Sequence, residues 1–129
     1  MPNITNTLTA VITATEDSTQ NVPVNRGLGN PSFDSTGAYY QTYFPISLGD
    51  TIVVLPMNPC TQVYIKNLDP TATIIVKPTF PGGGVVVTAK LFPGDIWLLW
   101  QKPGNSGAGI TALTLTASAS ALIEYFFGG

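Results

Sequence analysis

Apolar and polar residues alternate with a period of two along most of the chain. In residues 4–15 the even positions are mostly apolar and the odd positions are mostly threonine, which predicts a strand with one buried face. Threonine is β-branched and suits the solvated face of such a strand. No window places apolar residues at i, i+3, i+4 and i+7 over two turns, so no helix is predicted. The pattern therefore favours an all-β protein.

A segment with neither period follows this first strand. Residues 17–37 are rich in glycine, proline, asparagine and serine, and they predict a long loop or arm. Beyond it, short apolar segments alternate with turn residues and predict eight more strands, at residues 38–48, 51–55, 62–67, 72–77, 85–92, 96–101, 110–117 and 121–127. Alanine-rich residues 113–122 would permit a helix, but their threonines and serines favour a hairpin that turns near residues 117–120.

The number of strands and the chain length predict one domain that spans residues 1–129. With the first strand, the predicted strands number about nine, or about eight if one is only an edge. Several short antiparallel strands in a chain of this size must form a sandwich or a barrel, and eight strands match a jelly-roll β-sandwich. An immunoglobulin-like sandwich is the alternative, because many such domains lack the cysteine and tryptophan spacing that is also missing here. A chain of this length buries roughly two thirds of its unfolded surface, which is enough for a core without disulfides.

Two turns of similar sequence each precede an apolar run. Leu-Gly-Asp at residues 48–50 comes before the run 52–55, and Pro-Gly-Asp at residues 93–95 comes before the run 96–100. Both runs are predicted to be strands that are buried on both faces. Aspartate in a turn can accept hydrogen bonds from the backbone that follows. Asp50 and Asp95, like Asp69 in another turn, are therefore predicted to be structural.

Charge is scarce in this chain, and that bears on its partners. Only 9% of the residues are charged, the net charge is -2, and the five cationic residues lie far apart in the sequence. A nucleic-acid partner is therefore not expected, because phosphates require clustered lysine and arginine. Few surface charges also mean that copies can approach without desolvating ions, which favours a homo-oligomer. The alternative is a monomer with a neutral, threonine-rich exterior.

No targeting signal is recognisable in the sequence. The apolar stretches are shorter than the roughly 20 residues of a membrane-spanning helix, and the amino terminus lacks the basic and apolar regions of a secretory signal. We expect that the chain is made in the cytoplasm and does not contact a membrane. A single cysteine fits that compartment, and Cys60 is predicted to be a buried, unreactive thiol.

Residues suited to catalysis are few. The chain has no histidine, which excludes the Ser-His-Asp triad and the commonest zinc ligand. The glycine runs at residues 27–29 and 82–84 are not followed by a predicted helix that could bind phosphate. The aspartates lie in turns and form no Asp-x-Asp series for calcium. We therefore expect no enzymatic activity, no metal and no cofactor.

Glu124 differs from the other carboxylates because it lies inside a predicted strand. Alternation places it on one face with Leu122 and Phe126. The sequence therefore predicts that Glu124 lies at a subunit interface or at a sheet edge, with catalysis as the less favoured alternative.

Several aromatic residues are candidates for a recognition surface. Strict alternation would place Tyr39 and Tyr43 on one face of their strand and Tyr40 with Phe44 on the other. It would also place Trp97 and Trp100 on opposite faces of theirs. Tyr39 and Tyr43 could enter a neighbouring subunit or stack on a sugar, and the subunit is favoured. The candidate interface residues are Tyr39, Tyr43, Trp97, Trp100 and Glu124.

The carboxyl-terminal half carries a recognisable series of turns and strands. It contains the strand 63–66 leading into Asn-Leu-Asp-Pro at 67–70, a strand at 73–76, Phe-Pro-Gly-Asp at 92–95 before the run 97–100, and paired strands around 110–113 and 121–125. This series resembles the small β-sandwich virion proteins of tailed bacteriophages. The amino-terminal strand and arm have no counterpart in the resemblance.

The resemblance implies a structural role without an active site. The expected function is that of a capsid decoration protein, which binds the major capsid protein as a symmetric oligomer, a trimer as the first expectation, and stabilises the shell. The expected location is the virion. A receptor- or glycan-binding module of a phage tail or fibre is the alternative.

Overall fold

The computed structural model describes residues 4–9, 11–13, 25–27, 32–35 and 37–129, and every regular element in these ranges is a β-strand. The strands are β1 (Ile4–Thr7), β2 (Val11–Thr13), β3 (Asn25–Gly27), β4 (Ser32–Ser35), β5 (Ala38–Ile46), β6 (Gly49–Val53), β7 (Gln62–Asn67), β8 (Ile74–Thr79), β9 (Ala89–Leu91), β10 (Ile96–Trp100), β11 (Ala112–Ala117) and β12 (Ala121–Gly128). The prediction of an all-β chain is confirmed.

Eight of the strands form two antiparallel sheets of four strands each. The order is β10-β7-β12-β5 in the first, here sheet I, and β6-β11-β8-β9 in the second, here sheet II. Two smaller ladders pair β1 with β4 and β2 with β3. Two four-stranded antiparallel sheets agree with the predicted β-sandwich.

The core is made by the residues that alternate toward the inside. Val63 and Ile65 of β7 and Leu113 and Leu115 of β11 have no exposed surface, and the residues between them in sequence are only half-buried. Each fully buried aliphatic side chain stabilises the fold by about 1.5–3 kcal/mol relative to an exposed one. The predicted period of two is therefore what divides each central strand into an inner and an outer face.

The polar residue Asn67 is buried at the end of β7, and its side-chain nitrogen and oxygen both make hydrogen bonds. The Asn67 side chain is fully buried; its Nδ2 donates to the carbonyl oxygens of Ala72 at 2.8 Å and Leu91 at 3.1 Å, and its Oδ1 accepts from the Asp69 backbone N–H at 2.9 Å. Burial of a polar group is tolerated when its hydrogen bonds are made. Asn67 thereby links the end of β7 to the following turn and to β9.

Two of the three structural aspartates hold their own turns: Asp69 accepts from the backbone that follows it, as predicted, whereas Asp95 accepts from the backbone that precedes it. Asp69 Oδ2 accepts from the backbone N–H groups of Thr71 and Ala72, and Asp95 Oδ2 accepts from the backbone N–H of Phe92. Asp50 does not cap its own turn. Its Oδ1 accepts from the Thr116 hydroxyl on the neighbouring strand at 2.5 Å and lies 3.7 Å from Lys77 Nζ.

The predicted strand at residues 4–15 is interrupted in the structure. β1 and β2 occupy parts of it, while residues 10 and 14–15 lie outside the described residues. The predicted arm at residues 17–37 contains β3 and β4, which were not predicted; apart from these and Gly37, the arm lies outside the described residues. The sequences Asn-Arg-Gly and Ser-Phe-Asp-Ser carry little apolar alternation. Their pairing with β2 and β1 comes from the backbone, which a hydrophobic pattern does not record.

The strand predicted at residues 85–92 is shorter in the structure. Only Ala89–Leu91 forms β9; residues 85–88 approach β8 through an isolated bridge and two backbone hydrogen bonds. Gly82, with φ +74°, lies inside the turn that precedes them, which the Gly83 backbone N–H closes by donating to the Phe80 carbonyl oxygen. Val85, Val86 and Val87 are all exposed, so neither face of this segment is buried.

The two apolar runs predicted to be buried on both faces are not. β6 and β10 are edge strands of their sheets, and each buries only one face. Ile52 and Val54 are 76% and 86% exposed, and Ile96 and Leu98 are also exposed. The prediction was wrong because a continuous apolar run does not reveal what covers the outer face of the sheet.

Candidate functional site

A groove of about 450 Å³ lies on the outer face of sheet I. Its floor is formed by side chains of β5, β7, β10 and β12, and one wall is formed by residues 5–9, which include most of β1. The lining mixes hydroxyl, amide and carboxylate groups with aromatic rings: Thr5, Asn6, Thr7, Leu8, Thr9, Tyr40, Tyr64, Leu98, Trp100, Glu124 and Phe126. Its volume falls within the range of about 300–1,000 Å³ that is usual for small-molecule sites.

The β1 wall is attached to the sheet by a buried amide pair. Asn6 Nδ2 donates to Gln62 Oε1 at 2.6 Å, and both residues are buried. Gly128 lies opposite Gln62 in the ladder between β7 and β12. A Cβ atom on Gly128 would lie 2.6 Å from both Asn6 Nδ2 and Gln62 Oε1. Gly128 is therefore required for the close approach of β1 to the sheet.

A glutamate held by two tyrosines forms the polar part of the floor. The Tyr40 hydroxyl donates to Glu124 Oε2 at 2.5 Å, and the Tyr64 hydroxyl donates to Glu124 Oε1 at 2.7 Å. The three residues lie on three adjacent strands, because β12 pairs with β5 on one side and with β7 on the other. Each carboxylate oxygen thus receives one hydrogen bond from the protein.

This arrangement changes the acidity of all three groups. The two tyrosine hydroxyls, and more weakly the charge of Lys66, lower the pKa of Glu124 below its ordinary value. Burial and the hydrogen bond to Glu124 raise the pKa of Tyr64 to about 12. The hydrogen bond to Glu124 is also the main reason that the pKa of Tyr40 is raised. At neutral pH the site therefore holds an ionised carboxylate and two neutral phenols.

The apolar part of the groove is aromatic. The rings of Trp100 and Phe126 stack with their centroids 5.7 Å apart and an interplanar angle of 29°. Phe126 pairs with Tyr64 on one side and with Tyr40 on the other, which places it in the middle of the outer face. Leu98, opposite Tyr64 on the edge strand β10, extends this surface.

The structure corrects the predicted faces of the tyrosines on β5. Phe44 pairs with Ile123 and Gln41 pairs with Tyr125, so two residues, Thr42 and Tyr43, lie opposite Glu124 alone. This is a β-bulge, and Tyr43 adopts a positive φ of 55° there. The extra residue reverses the alternation.

After this reversal the tyrosines occupy positions different from those predicted. Tyr40 lies on the outer face, whereas Phe44 packs against the core, so the two do not share a face. Tyr39 lies against Gly37, where its Cε2 atom would be 3.1 Å from a Cβ atom on that glycine, and it is outside the groove. Tyr43 is exposed at the bulge and does not line the groove either.

The two tryptophans are on opposite faces of β10, as predicted. Trp97 packs against the core, and Trp100 lines the groove. Glu124 lies on the outer face, but β12 is a central strand of sheet I, so of its two predicted positions the sheet edge is wrong and the subunit interface stays a prediction. Of the five candidate interface residues, only Trp100 and Glu124 meet at one site.

Tyr40, Tyr64, Phe126 and Asn6 were missed by the sequence analysis. A signal existed for Tyr64, since it alternates with Val63 and Ile65 and so had to point outward. Its meeting with Glu124 and Tyr40 depends on the register of three strands, which no local pattern contains.

A second surface lies at the free edge of sheet II. The strand β6 pairs only with β11 in the described part of the chain, and the exposed side chains on it and directly beside it are apolar apart from Asp50. Leu48, Ile52 and Val54 form this edge surface, and Leu48 is 68% exposed. The nearby charges of Asp50 and Lys77 are paired with each other.

The candidate thiol, Cys60, lies outside the groove. Cys60 is buried, and burial raises the pKa of its thiol to about 11, which agrees with the prediction of an unreactive cysteine. Within the described ranges, no three residues among histidine, cysteine, aspartate and glutamate come together in a way that could hold a metal ion. None of the described elements is a helix of the length and apolarity that crossing a membrane requires.

No protein-family model matches the chain, and a search of curated protein sequences finds no relative. Proposals about the function of this chain therefore rest on its fold, its groove and its apolar edge surface.

Proposed function

We propose that this chain is a non-enzymatic structural subunit of a phage virion, and specifically a capsid decoration protein that binds the shell as a symmetric oligomer. The partners in this proposal are other copies of the chain, in a trimer, and the major capsid protein. The virion assignment rests on the resemblance of the turn and strand series to small phage β-sandwich proteins. The assembly part rests on the edge surface of sheet II.

The observation that carries the assembly proposal is the exposure of Ile52 on the edge strand β6 and of Val54 directly after it. An edge strand offers unpaired backbone groups, and exposed apolar side chains beside them favour contact with another chain. The charges next to this edge, Asp50 and Lys77, already neutralise each other, so a neighbouring subunit would not have to desolvate an unpaired ion. The low fraction of charged residues in the whole chain supports the same conclusion.

We infer further that the sandwich is a jelly roll. Counting from β5 as the first of eight strands, the sheets have the orders 6-3-8-1 and 2-7-4-5, so the first strand lies beside the last. In an immunoglobulin sandwich the first strand lies beside the second. Jelly rolls are common in viral capsid proteins and in lectins. This topology therefore supports both the decoration proposal and its alternative.

The hydrogen bonding of the carboxylates supports a role without catalysis. Asp69 and Asp95 hold turns, and Asp50 binds Thr116 across two strands. The carboxylate of Glu124 is held ionised by two hydroxyl donors, whereas a general acid at neutral pH needs a raised pKa.

The assembly proposal is tested by measuring the molar mass of the protein in solution. We expect a trimer at micromolar concentration. Replacing both Ile52 and Val54 with lysine should raise the dissociation constant by at least about a hundredfold, because about 1.5 kcal/mol or more is lost for each apolar side chain that is no longer buried. The matched control adds the same two charges at an exposed turn, as Ala119→Lys and Ser120→Lys, and should leave the mass unchanged.

Three outcomes would contradict these proposals. A monomeric wild-type protein, or a trimer insensitive to the Ile52 and Val54 replacements, would remove the assembly argument. Heating particles with and without the subunit tests reinforcement of the shell, since binding to the assembled state stabilises it by mass action. Equal bursting temperatures would count against a decoration role.

The alternative function, a receptor- or glycan-binding module of a tail or fibre, is favoured by a different observation. The groove on sheet I places aromatic rings beside a fixed carboxylate. The sugar platform predicted from Tyr39 and Tyr43 is not supported, because neither residue lines this groove.

A further inference from the structure

The groove on the outer face of sheet I has the composition of a binding site for a neutral ligand with several hydroxyl groups. We propose that it binds a saccharide, with Glu124 and Tyr64 as hydrogen-bonding residues and Trp100 as the apolar platform. The inference rests on the alternative function, a glycan-binding module, whose site and ligand class it names, and it does not rest on the virion assignment.

The polar floor determines which hydrogen bonds a ligand must supply. An ionised carboxylate has about four acceptor positions, and the hydroxyls of Tyr40 and Tyr64 occupy one on each oxygen of Glu124. The tyrosine oxygens, whose protons are committed to Glu124, can only accept. The centre of the floor thus presents acceptors, and a ligand that fits it must donate.

Donors can come from a cation or from neutral hydroxyl groups, and the charges on this face favour the hydroxyl groups. Lys66 lies directly opposite Glu124 in the ladder between β7 and β12, and its charge contributes to the low pKa of Glu124. The carboxylate therefore already has a counter-charge on its own face of the sheet. A cationic ligand would be repelled by Lys66, whereas a neutral hydroxyl donor would not.

The aromatic half of the groove suits the apolar face of a sugar ring. Trp100 and Phe126 form a stacked pair beside the polar floor, and Leu98 continues the apolar surface. A pyranose has hydroxyl groups around its edge and C–H groups on its faces, so it matches a surface that is polar on one side and aromatic on the other. A purely apolar ligand would leave the acceptors of Glu124 unpaired, which is costly in a closed site.

The groove is formed in advance of binding. Its floor belongs to the central strands β7 and β12, and the Asn6–Gln62 pair fixes the β1 wall. The two hydroxyl donors hold the Glu124 carboxylate in one orientation. A ligand therefore finds its polar partners in place, which reduces the entropy that binding would otherwise cost.

The experiment uses the full chain on an array of neutral and charged bacterial surface oligosaccharides, followed by saturation-transfer NMR and titration with those that bind. We expect saturable binding of at least one neutral oligosaccharide. Glu124→Gln, which keeps the shape of the side chain, should weaken it by at least about tenfold, and Tyr64→Phe should weaken it severalfold. The matched control is Asp50→Asn, the same carboxylate-to-amide change at a hydroxyl-bound residue on sheet II, which should not affect binding.

Trp100→Ala tests the apolar half of the site, with thermal unfolding of each variant as a check on folding. Loss of saturation transfer to the sugar C–H protons is expected. The proposal is overturned if no oligosaccharide binds, if binding survives both Glu124→Gln and Tyr64→Phe, or if choline or arginine binds in competition with the sugars and depends on Glu124. The last outcome would identify the groove as a cation site.

Discussion

The outer faces of the two sheets follow the same alternation but differ in what covers them. On sheet I, β1 lies over part of the outer face and is attached to it by the buried Asn6–Gln62 pair, and the same groove holds Glu124, whose carboxylate is bound by Tyr40 and Tyr64. On sheet II, nothing in the described part of the chain covers the outer face, which carries threonines, one ion pair and the exposed side chains of Ile52 and Val54.

This difference shows how one fold can present two kinds of surface. A face partly covered by its own chain can keep polar groups in fixed positions, because groups such as the Glu124 carboxylate are hydrogen-bonded within the chain, and it suits a small ligand. An uncovered edge with apolar side chains has no internal partner and suits a large one. The two surfaces lie on opposite sides of the sandwich, so occupation of one leaves the other accessible.

The largest effect is expected from a change that separates β1 from sheet I. Gly128→Ala places a Cβ atom 2.6 Å from Asn6 Nδ2 and Gln62 Oε1, and the two side chains cannot both stay in place. Overpacking of this kind typically costs about 1–3 kcal/mol. We expect the variant to have a lower free energy of unfolding in urea than the wild type. We also expect the substitution to accelerate amide hydrogen exchange more in β1 than in β11.

Gly84→Ala is the matched control for this substitution. A Cβ atom on Gly84 would have no heavy atom within 4 Å, and the residue has no positive φ, so an alanine there should leave both measurements unchanged. If Gly128→Ala behaves like Gly84→Ala, the Asn6–Gln62 contact does not hold β1, and the contrast between the covered and the uncovered face disappears.

The parts of the fold that the sequence predicted well are those in which local alternation and burial coincide. β7 was predicted to the residue, because Val63 and Ile65 face a core on one side while Tyr64 and Lys66 do not. The edge strands were located but given the wrong burial. An apolar run such as Ile52 to Val54 has the same sequence pattern in a strand buried on both faces and in an edge strand that buries only one face.

The bulge on β5 shows a different limit. One additional residue, at Thr42–Tyr43, reverses the faces of the strand, so Tyr40 points outward although strict alternation places it with Phe44. The polar site was also inaccessible to local reasoning. Glu124 is 60 residues from Tyr64 and 84 from Tyr40 in sequence. Only the register of three strands brings them together.

A smaller effect is expected from removing the charge of Glu124. The lowered pKa means that the folded state prefers the ionised form, so this stabilisation is present above the ordinary pKa of 4.5 and is lost as the pH falls through the lower folded value. Glu124→Gln should lower the free energy of unfolding by about 1 kcal/mol or less at pH 7 and make its decline in acid less steep. Urea unfolding between about pH 3 and pH 7 measures both.

Tyr64 also makes the free energy of unfolding depend on pH in the alkaline range, and Tyr64→Phe removes this contribution. The pKa of Tyr64 is raised to about 12, so its stabilisation is complete below the ordinary value of 10 and is lost as the pH rises through about 12. The variant should lose less unfolding free energy at alkaline pH than the wild type does. The loss of unfolding free energy in acid that comes from protonation of Asp69 should be the same in both proteins. An identical alkaline profile would mean that neither burial nor the hydrogen bond to Glu124 raises the pKa of Tyr64 in solution.

The smallest effect is expected on sheet II, from Asp50→Asn. The Thr116 hydroxyl and the charge of Lys77 lower the pKa of Asp50, but the carboxylate is exposed, and the Lys77 Nζ atom is 3.7 Å away. Solvent and salt screen such a pair, and an asparagine oxygen can still accept from Thr116. We expect no measurable change in the urea midpoint at pH 7, with or without added salt. A midpoint shift as large as that of Glu124→Gln would show that the uncovered face also depends on a fixed polar network, and the distinction between the two faces would then rest on their apolar residues alone.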